Sequence, residues 1–365
     1  MLKKDFFSFC APVAARLPKW LALALLLAFA PVSTGAAHSV AFLDLLGSAE
    51  AAEEQDSPFL VQNPVFPAPS ADPWVVTANG RFYEVRSDGL RVLVRSSKRF
   101  RDLMEQPSQV VWQAPPSGPN SQNVWAPEMH WIGGKWWLYY AADDGNNANH
   151  RVFVMESRTG DPADGFEDRG RWETQGWAID PTVFTGNDGK LYALWSGWPG
   201  AADGEQNLYI SRMRDPATLE GGRVRLTSPA LSWERMSLPV CEGPQALKRG
   251  GLTFVVYSAS GSWTKDYCLG MLVNRSGDYM NPDAWEKQAQ PVLTATDAVW
   301  GVGHCAFLSS RETGDLVFYH AKTKQAAGWE DRNVRVQPFS WRADGLPEFG
   351  KPVNPGLPVA IIPGG

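Results

Sequence analysis

Five β-hairpin signatures recur along the chain, and that repetition restricts the folds open to it more than any other feature. From Asn63 onward, aromatic and β-branched runs alternate with Gly, Pro, Asn and Asp, and almost no 3.6-residue periodicity is sustained. That texture predicts an all-β domain. The clearest strand pairs are Trp74–Thr77 with Arg81–Val85 and Met129–Ile132 with Lys135–Ala141. Val183–Thr185 follows with Lys190–Ser196, Gln245–Lys248 with Leu252–Ser258, and Cys305–Ser309 with Leu316–His320. Tight Gly- or Asn/Asp-containing turns join each pair, as hairpins require. A landmark residue opens each unit, at Asp72, Trp125, Asp180, Glu242 and His304, spaced by roughly fifty to sixty residues, near the repeat length of a propeller blade. Five units predict a five-bladed β-propeller with the functional residues at one end of the central axis. A β-sandwich is the competing architecture and would scatter the five landmarks. Ring closure is expected between the segment near Val65 and the stretch from Pro352 to Ile362.

Three landmarks are carboxylates, each followed at once by Pro or Gly-Pro: ADPWVV from residue 71, IDPTVF from 179 and CEGPQ from 241. Alone, an Asp before Pro reads as a turn cap and Glu242 as a surface charge at a strand start. Three acids in equivalent positions of one repeat point instead to a catalytic cluster. The 17 Trp suit stacking on flat apolar faces such as sugar rings, or wedging between sheets as core. Trp136 and Trp137 fit the core reading, and Trp198 fits an outer stacking wall. Asp143 and Asp144, with Asn146, Asn147 and Asn149, form a polar loop near His150 that either reaches a substrate or is a solvated turn.

The N-terminus has the pattern of an export signal. Lys3, Lys4, Arg16 and Lys19 precede the apolar run Trp20 to Ala30, and small residues follow to Ala37. We assign residues 1–37 to a signal peptide, 38–60 to a Ser/Ala-rich acidic linker and 61–365 to the propeller, in a secreted or periplasmic protein. The signal carries four basic and one acidic residue, so the remainder has formal charge −8 against −5 for the whole chain. An acidic chain without a basic block argues against a nucleic-acid ligand, and no membrane contact is expected once the signal is removed. Cys10 would leave with the signal. Cys241, Cys268 and Cys305 would remain, at spacings that match no zinc motif, and allow at most one disulfide.

In order along the chain stand ADP at 71–73, WAPE at 125–128, IDPTVF at 179–184, EGPQ at 242–245, GHC at 303–305 and YHAK at 319–322. Together these resemble glycoside hydrolase family 43, the five-bladed arabinofuranosidases, arabinanases and β-xylosidases, over about residues 63 to 350. The strings DDGNNANHRVFVMES, WSGWPGAADGEQNLYI and YSASGSWTKDYCLGML look most like its extracellular exo-acting α-L-arabinofuranosidases.

The resemblance implies an inverting hydrolase, in which one ionised carboxylate activates water and one protonated carboxyl serves the leaving oxygen. Asp72 would be the general base and Glu242 the general acid. Asp180 would raise the pKa of the acid and hold it in place, since a nearby anion disfavours ionisation. His304 would lie deep on the axis near the base, with a structural calcium possible beside it, and no cofactor would be required. Arg332, in EDRNVRVQ, would hold the innermost sugar, with Arg335 as the fallback, because a guanidinium offers a fixed fork of donors. Trp125 would line the sugar pocket.

The sequence departs from the family at Cys241 and Cys305, which flank Glu242 and His304. A Cys241–Cys305 disulfide across adjacent blades, a Cys241–Cys268 pair and free thiols are all open readings. The implied activity is removal of terminal α-L-arabinofuranosyl residues from arabinan or arabinoxylan. A β-xylosidase or endo-arabinanase of the same family, and a carbohydrate-binding propeller without catalysis, are the alternatives; the last has no need of three aligned carboxylates.

Overall fold

The structure is a computed structural model and describes residues 57–364. The export signal expected over 1–37 and the linker up to residue 56 lie outside the described residues.

Five antiparallel sheets follow one another along the chain, each built from consecutive strands. Blade 1 comprises Trp74–Ala78, Arg81–Ser87, Arg91–Ser97 and Gln109–Gln113. Blade 2 comprises Gln122–Ile132, Lys135–Asp143, Arg151–Ser157 and Phe166–Arg171, and blade 3 Ala178–Thr185, Leu191–Gly197, Asn207–Asp215 and Thr218–Thr227. Blade 4 comprises Cys241–Arg249, Leu252–Ala259, Cys268–Asn274 and Trp285–Lys287, and blade 5 Trp300–Ser310, Gly314–Lys322 and Arg332–Pro338. The first strand of each blade packs against the first strand of the next, and blade 5 returns to blade 1. That closed ring is a five-bladed propeller with its first strands around the axis.

Sheet faces that are apolar must be covered, and neighbouring blades cover one another. One cluster joins blades 1, 2 and 5 through Trp74, Phe82, Trp136, Phe153 and Phe318. Others join blade 2 to blade 3, blade 3 to blade 4 and blade 4 to blade 5. Trp136 is fully buried and Trp137 packs against the blade 2–blade 3 cluster, so both serve as inter-blade core. Burial of each large apolar side chain contributes about 1.5–3 kcal/mol.

Closure differs from expectation in its register. Val65 and Phe66 bond to Val334 on the third strand of blade 5, completing a sheet that would otherwise lack its outer edge. The C-terminal strand Pro358–Ile361 pairs instead with Phe59–Gln62, which takes in Phe59 and Leu60 from the stretch read as linker. Paired edges of this kind remove the open strand that would invite association.

Candidate active site

Five first strands bring the landmarks to one end of the axis, and the backbone is distorted where they do so. Asp72, Asp180 and His304 all have left-handed backbone angles, with φ of 51°, 53° and 47°. Such conformations cost about 1–3 kcal/mol each for residues other than glycine and persist only where surrounding structure enforces them. The pairing register slips beside four of the landmarks, between Trp125 and Glu128, Ile179 and Thr182, Glu242 and Gln245, and Gly303 and Cys305. A bulge re-aims the side chains next to it, and here it turns a strand's in-and-out alternation into one that points toward the axis. Gly243 has a left-handed φ of 53°, which favours glycine, and its site is tight as well: a Cβ there would stand 3.1 Å from His304 Nδ1.

Asp72 is surrounded by nitrogen. Its Oδ1 lies 3.2 Å from His304 Nδ1, 3.2 Å from His320 Nδ1 and 3.5 Å from Arg332 Nη1. Burial alone would raise its pKa, but His304, Arg332 and His320 outweigh that and hold it well below the usual carboxylate range. Burial in turn lowers His320 to about 4, so its ring is neutral.

Glu242 and Asp180 have the opposite electrostatics. Burial raises Glu242 to about 7, and the charge of Asp72 adds to the rise, against a hydrogen bond from Tyr267 and the charge of Arg332. Asp180 is also raised to about 7, first by burial and then by Glu242 and Asp72, against the pull of His304. Two buried carboxyls this closely coupled titrate as a pair, so a proton is retained between them into the neutral range. Asp180 Oδ2 accepts the N–H of Gly243 at 2.9 Å, which ties it to the backbone beside Glu242. Tyr267 donates its hydroxyl to Glu242 Oε1 at 2.8 Å.

All three carboxylates, His304 and Arg332 open onto one cavity of about 530 Å³ whose walls include Trp125, Trp177, Trp263 and Trp329. Trp125 is 37% exposed and stacks on His150, ring centres 4.1 Å apart. His150 is held by Asp143 at 2.9 Å, and both are fully buried; of the polar loop, Asp143 is therefore a buried support, and Asn147 reaches the cavity wall. Two expected substrate contacts are corrected. Trp198 is buried and lies flat against Trp177, centres 4.6 Å apart and planes 6° apart, so Trp177 forms the wall and Trp198 backs it. Arg335 is fully buried and donates to the Val353 carbonyl and to Asn333, because successive strand residues alternate faces and Arg332 takes the axial side. His320, Tyr267, Trp177 and Trp329 were not among the residues expected in the site. His320 stood in YHAK and Tyr267 in the YSASGSW string, but neither carries a local signal for its partner.

The three cysteines are free and buried. Cys241 points at Glu234 (3.7 Å) rather than at Cys305 or Cys268, so neither proposed disulfide forms. Beside His304 stands Asp72, already engaged by three nitrogens. Among the described residues no group of three or more His, Cys, Asp or Glu side chains is placed to hold a metal ion.

Comparison with known proteins agrees with this geometry. A family model described as Glycosyl hydrolases family 43 matches residues 61–347. An α-L-arabinofuranosidase 43 from Humicola insolens is 33% identical over 310 residues, 80% of this chain; the chain spans only 64% of that protein's length. An extracellular exo-α-(1→5)-L-arabinofuranosidase from Streptomyces chartreusis is 35% identical over 301 residues, 79% of this chain and 89% of that protein. Among solved structures, an α-L-arabinofuranosidase from Lactobacillus brevis superposes with a TM-score of 0.75 at 32% identity, over 81% of this chain and all of the other.

Proposed function

The chain belongs to glycosyl hydrolase family 43, and from that premise we propose that it removes terminal α-L-arabinofuranosyl residues from arabinan or arabinoxylan with inversion. The observation that carries the reading is the contrast between two carboxyls on one cavity. Asp72 is held ionised by His304, Arg332 and His320, while Glu242 is held protonated by burial. In the reaction, Asp72 takes a proton from a water molecule as the water oxygen bonds to the anomeric carbon. The glycosidic bond breaks, and Glu242 gives its proton to the departing oxygen. Asp180 keeps Glu242 protonated and fixes the backbone next to it. Arg332 both restrains Asp72 and lies within reach of sugar hydroxyls, and the tryptophan walls suit a furanose ring. On this reading no cofactor takes part.

The relatives' names support the sugar assignment: three of them are α-L-arabinofuranosidases, one called extracellular and exo-acting. The extracellular name of the Streptomyces chartreusis relative and the N-terminal pattern support export to the exterior or periplasm. Among the described residues no helix is long and apolar enough to cross a membrane.

An endo-arabinanase is the second reading, favoured by one observation. A second cavity of about 860 Å³ runs over blade 1 and shares Asp72, Trp125, Trp329 and Arg332 with the first, which lengthens the space available to a chain. Two assays decide. Turnover of an aryl α-L-arabinofuranoside well above that of an aryl β-D-xyloside supports the arabinosidase. Arabinose as the sole early product from debranched arabinan supports exo action, and a ladder of oligosaccharides supports endo action. Glu242→Gln should abolish turnover of arabinan, by roughly 10²–10⁴-fold, with sugar binding retained.

A further inference from the structure

Tyr267 occupies a position that a catalytic proton depends on. Its hydroxyl donates to Glu242 Oε1 at 2.8 Å, and among the described residues no hydrogen bond reaches Glu242 Oε2. A neutral carboxyl has one carbonyl oxygen and one hydroxyl oxygen. A donor committed to Oε1 makes Oε1 the carbonyl oxygen and leaves the proton on Oε2.

The tyrosine is built in as a fixed donor. Its side chain is fully buried, and its ring stacks face to face on His320, centres 5.3 Å apart and planes 9° apart. The opposite constraint comes from Gly303, where a Cβ would stand 2.1 Å from the Tyr267 ring, so the ring lies against bare backbone beside His304. Ser258 sets the direction of the bond. Its Oγ accepts the N–H of His304 at 2.7 Å, which leaves its own proton free for the Tyr267 oxygen that it faces. With that lone pair engaged, the phenolic proton is directed at Glu242. His320, under the ring, also touches Asp72, so one aromatic stack links the base to the acid.

We propose that Tyr267 is a positioning residue for the general acid, holding the transferable proton of Glu242 on Oε2, the oxygen left free for the leaving group. The proposal rests on the hydrolase reading above and concerns only the proton-donation half of it. The bond also favours ionised Glu242, so its removal has a signature that simple loosening of the pocket does not.

Tyr267→Phe keeps the ring and its stack on His320 and deletes only the donor. The test compares kcat/KM on two substrates, an arabino-oligosaccharide and 2,4-dinitrophenyl α-L-arabinofuranoside, whose leaving group departs without a proton. Turnover of both by the unaltered enzyme establishes the hydrolase reading independently; turnover of neither would defeat that reading before Tyr267 is tested. The expected result is a loss of roughly 10- to 100-fold on the oligosaccharide, less than about threefold on the dinitrophenyl substrate, and an alkaline limb moved to higher pH. Equal losses on both substrates, or no loss on either, would overturn the proposal. The same substitution made in Glu242→Gln, where no proton is donated, should cost no more than about twofold on the dinitrophenyl substrate. A loss there of tenfold or more would assign Tyr267 a purely structural role.

Discussion

The N–H of Gly243 donates to Asp180 Oδ2 at 2.9 Å, so the residue after Glu242 is pinned to a carboxylate 63 positions earlier in the chain. In the role proposed for it, Asp180 would act on Glu242 in two ways, by charge and through the backbone. Asp180→Asn separates them, since the amide oxygen still accepts from Gly243 but carries no charge. Removing the anion makes Glu242 easier to ionise. The alkaline limb of kcat/KM should move to lower pH, with roughly tenfold lower activity at pH 7 on substrates that need protonation and an unchanged melting temperature. A limb that moves to higher pH would contradict the role given to Asp180.

The pH profile of the unaltered enzyme follows from the same electrostatics. With the proposed roles, activity would require Asp72 ionised and Glu242 protonated. Asp72 is held well below the ordinary carboxylate range, so kcat/KM should show no acid limb near pH 4. Glu242, raised to about 7, should impose a fall above about pH 7, approaching tenfold per pH unit. Rates on phenyl α-L-arabinofuranoside between pH 3.5 and 9 check both limbs; a maximum near pH 4 with decline on either side would contradict the assignment.

Trp177 and Trp198 should separate into wall and support. Trp177→Ala removes the surface that faces the cavity and should raise KM for oligosaccharides by roughly tenfold. Trp198→Ala empties a buried site and should cost about 3–5 kcal/mol of stability, read by denaturant unfolding. If Trp198→Ala raised KM without lowering stability, the stacking order would be wrong.

Thiol titration tests the cysteines. Cys241, Cys268 and Cys305 are free, and burial raises all three thiols, Cys268 to about 12. A chain starting after residue 37 should therefore release three equivalents to a disulfide reagent when denatured and react negligibly when native. One equivalent on denaturation would mean that a disulfide had formed.

Much of this arrangement was legible before any coordinates, and the limit has a physical cause. The landmarks Asp72, Asp180, Glu242 and His304 could be found because repetition places equivalent strand starts at one end of an axis, whatever the intervening loops do. Arg332 was legible by resemblance; Arg335 lies three residues on along the same strand, an odd offset, and so faces the other way. Trp198 and Trp177 were not distinguishable, since both precede or follow an inner hairpin and only packing decides which ring covers the other. Tyr267 and His320 meet Glu242 and Asp72 from other strands and loops, across 25 and 248 residues. No local pattern records such a meeting. The cysteines misled for the same reason: adjacent blades were foreseen, the direction of each side chain was not.

Inversion at the anomeric carbon is the most direct consequence of the roles given to Asp72 and Glu242. Proton NMR of the first-formed sugar, recorded before mutarotation during hydrolysis of an α-L-arabinofuranoside, reads it without reference to any variant. The β-anomer of L-arabinose is the predicted product, and initial release of the α-anomer would contradict a mechanism in which Asp72 activates water.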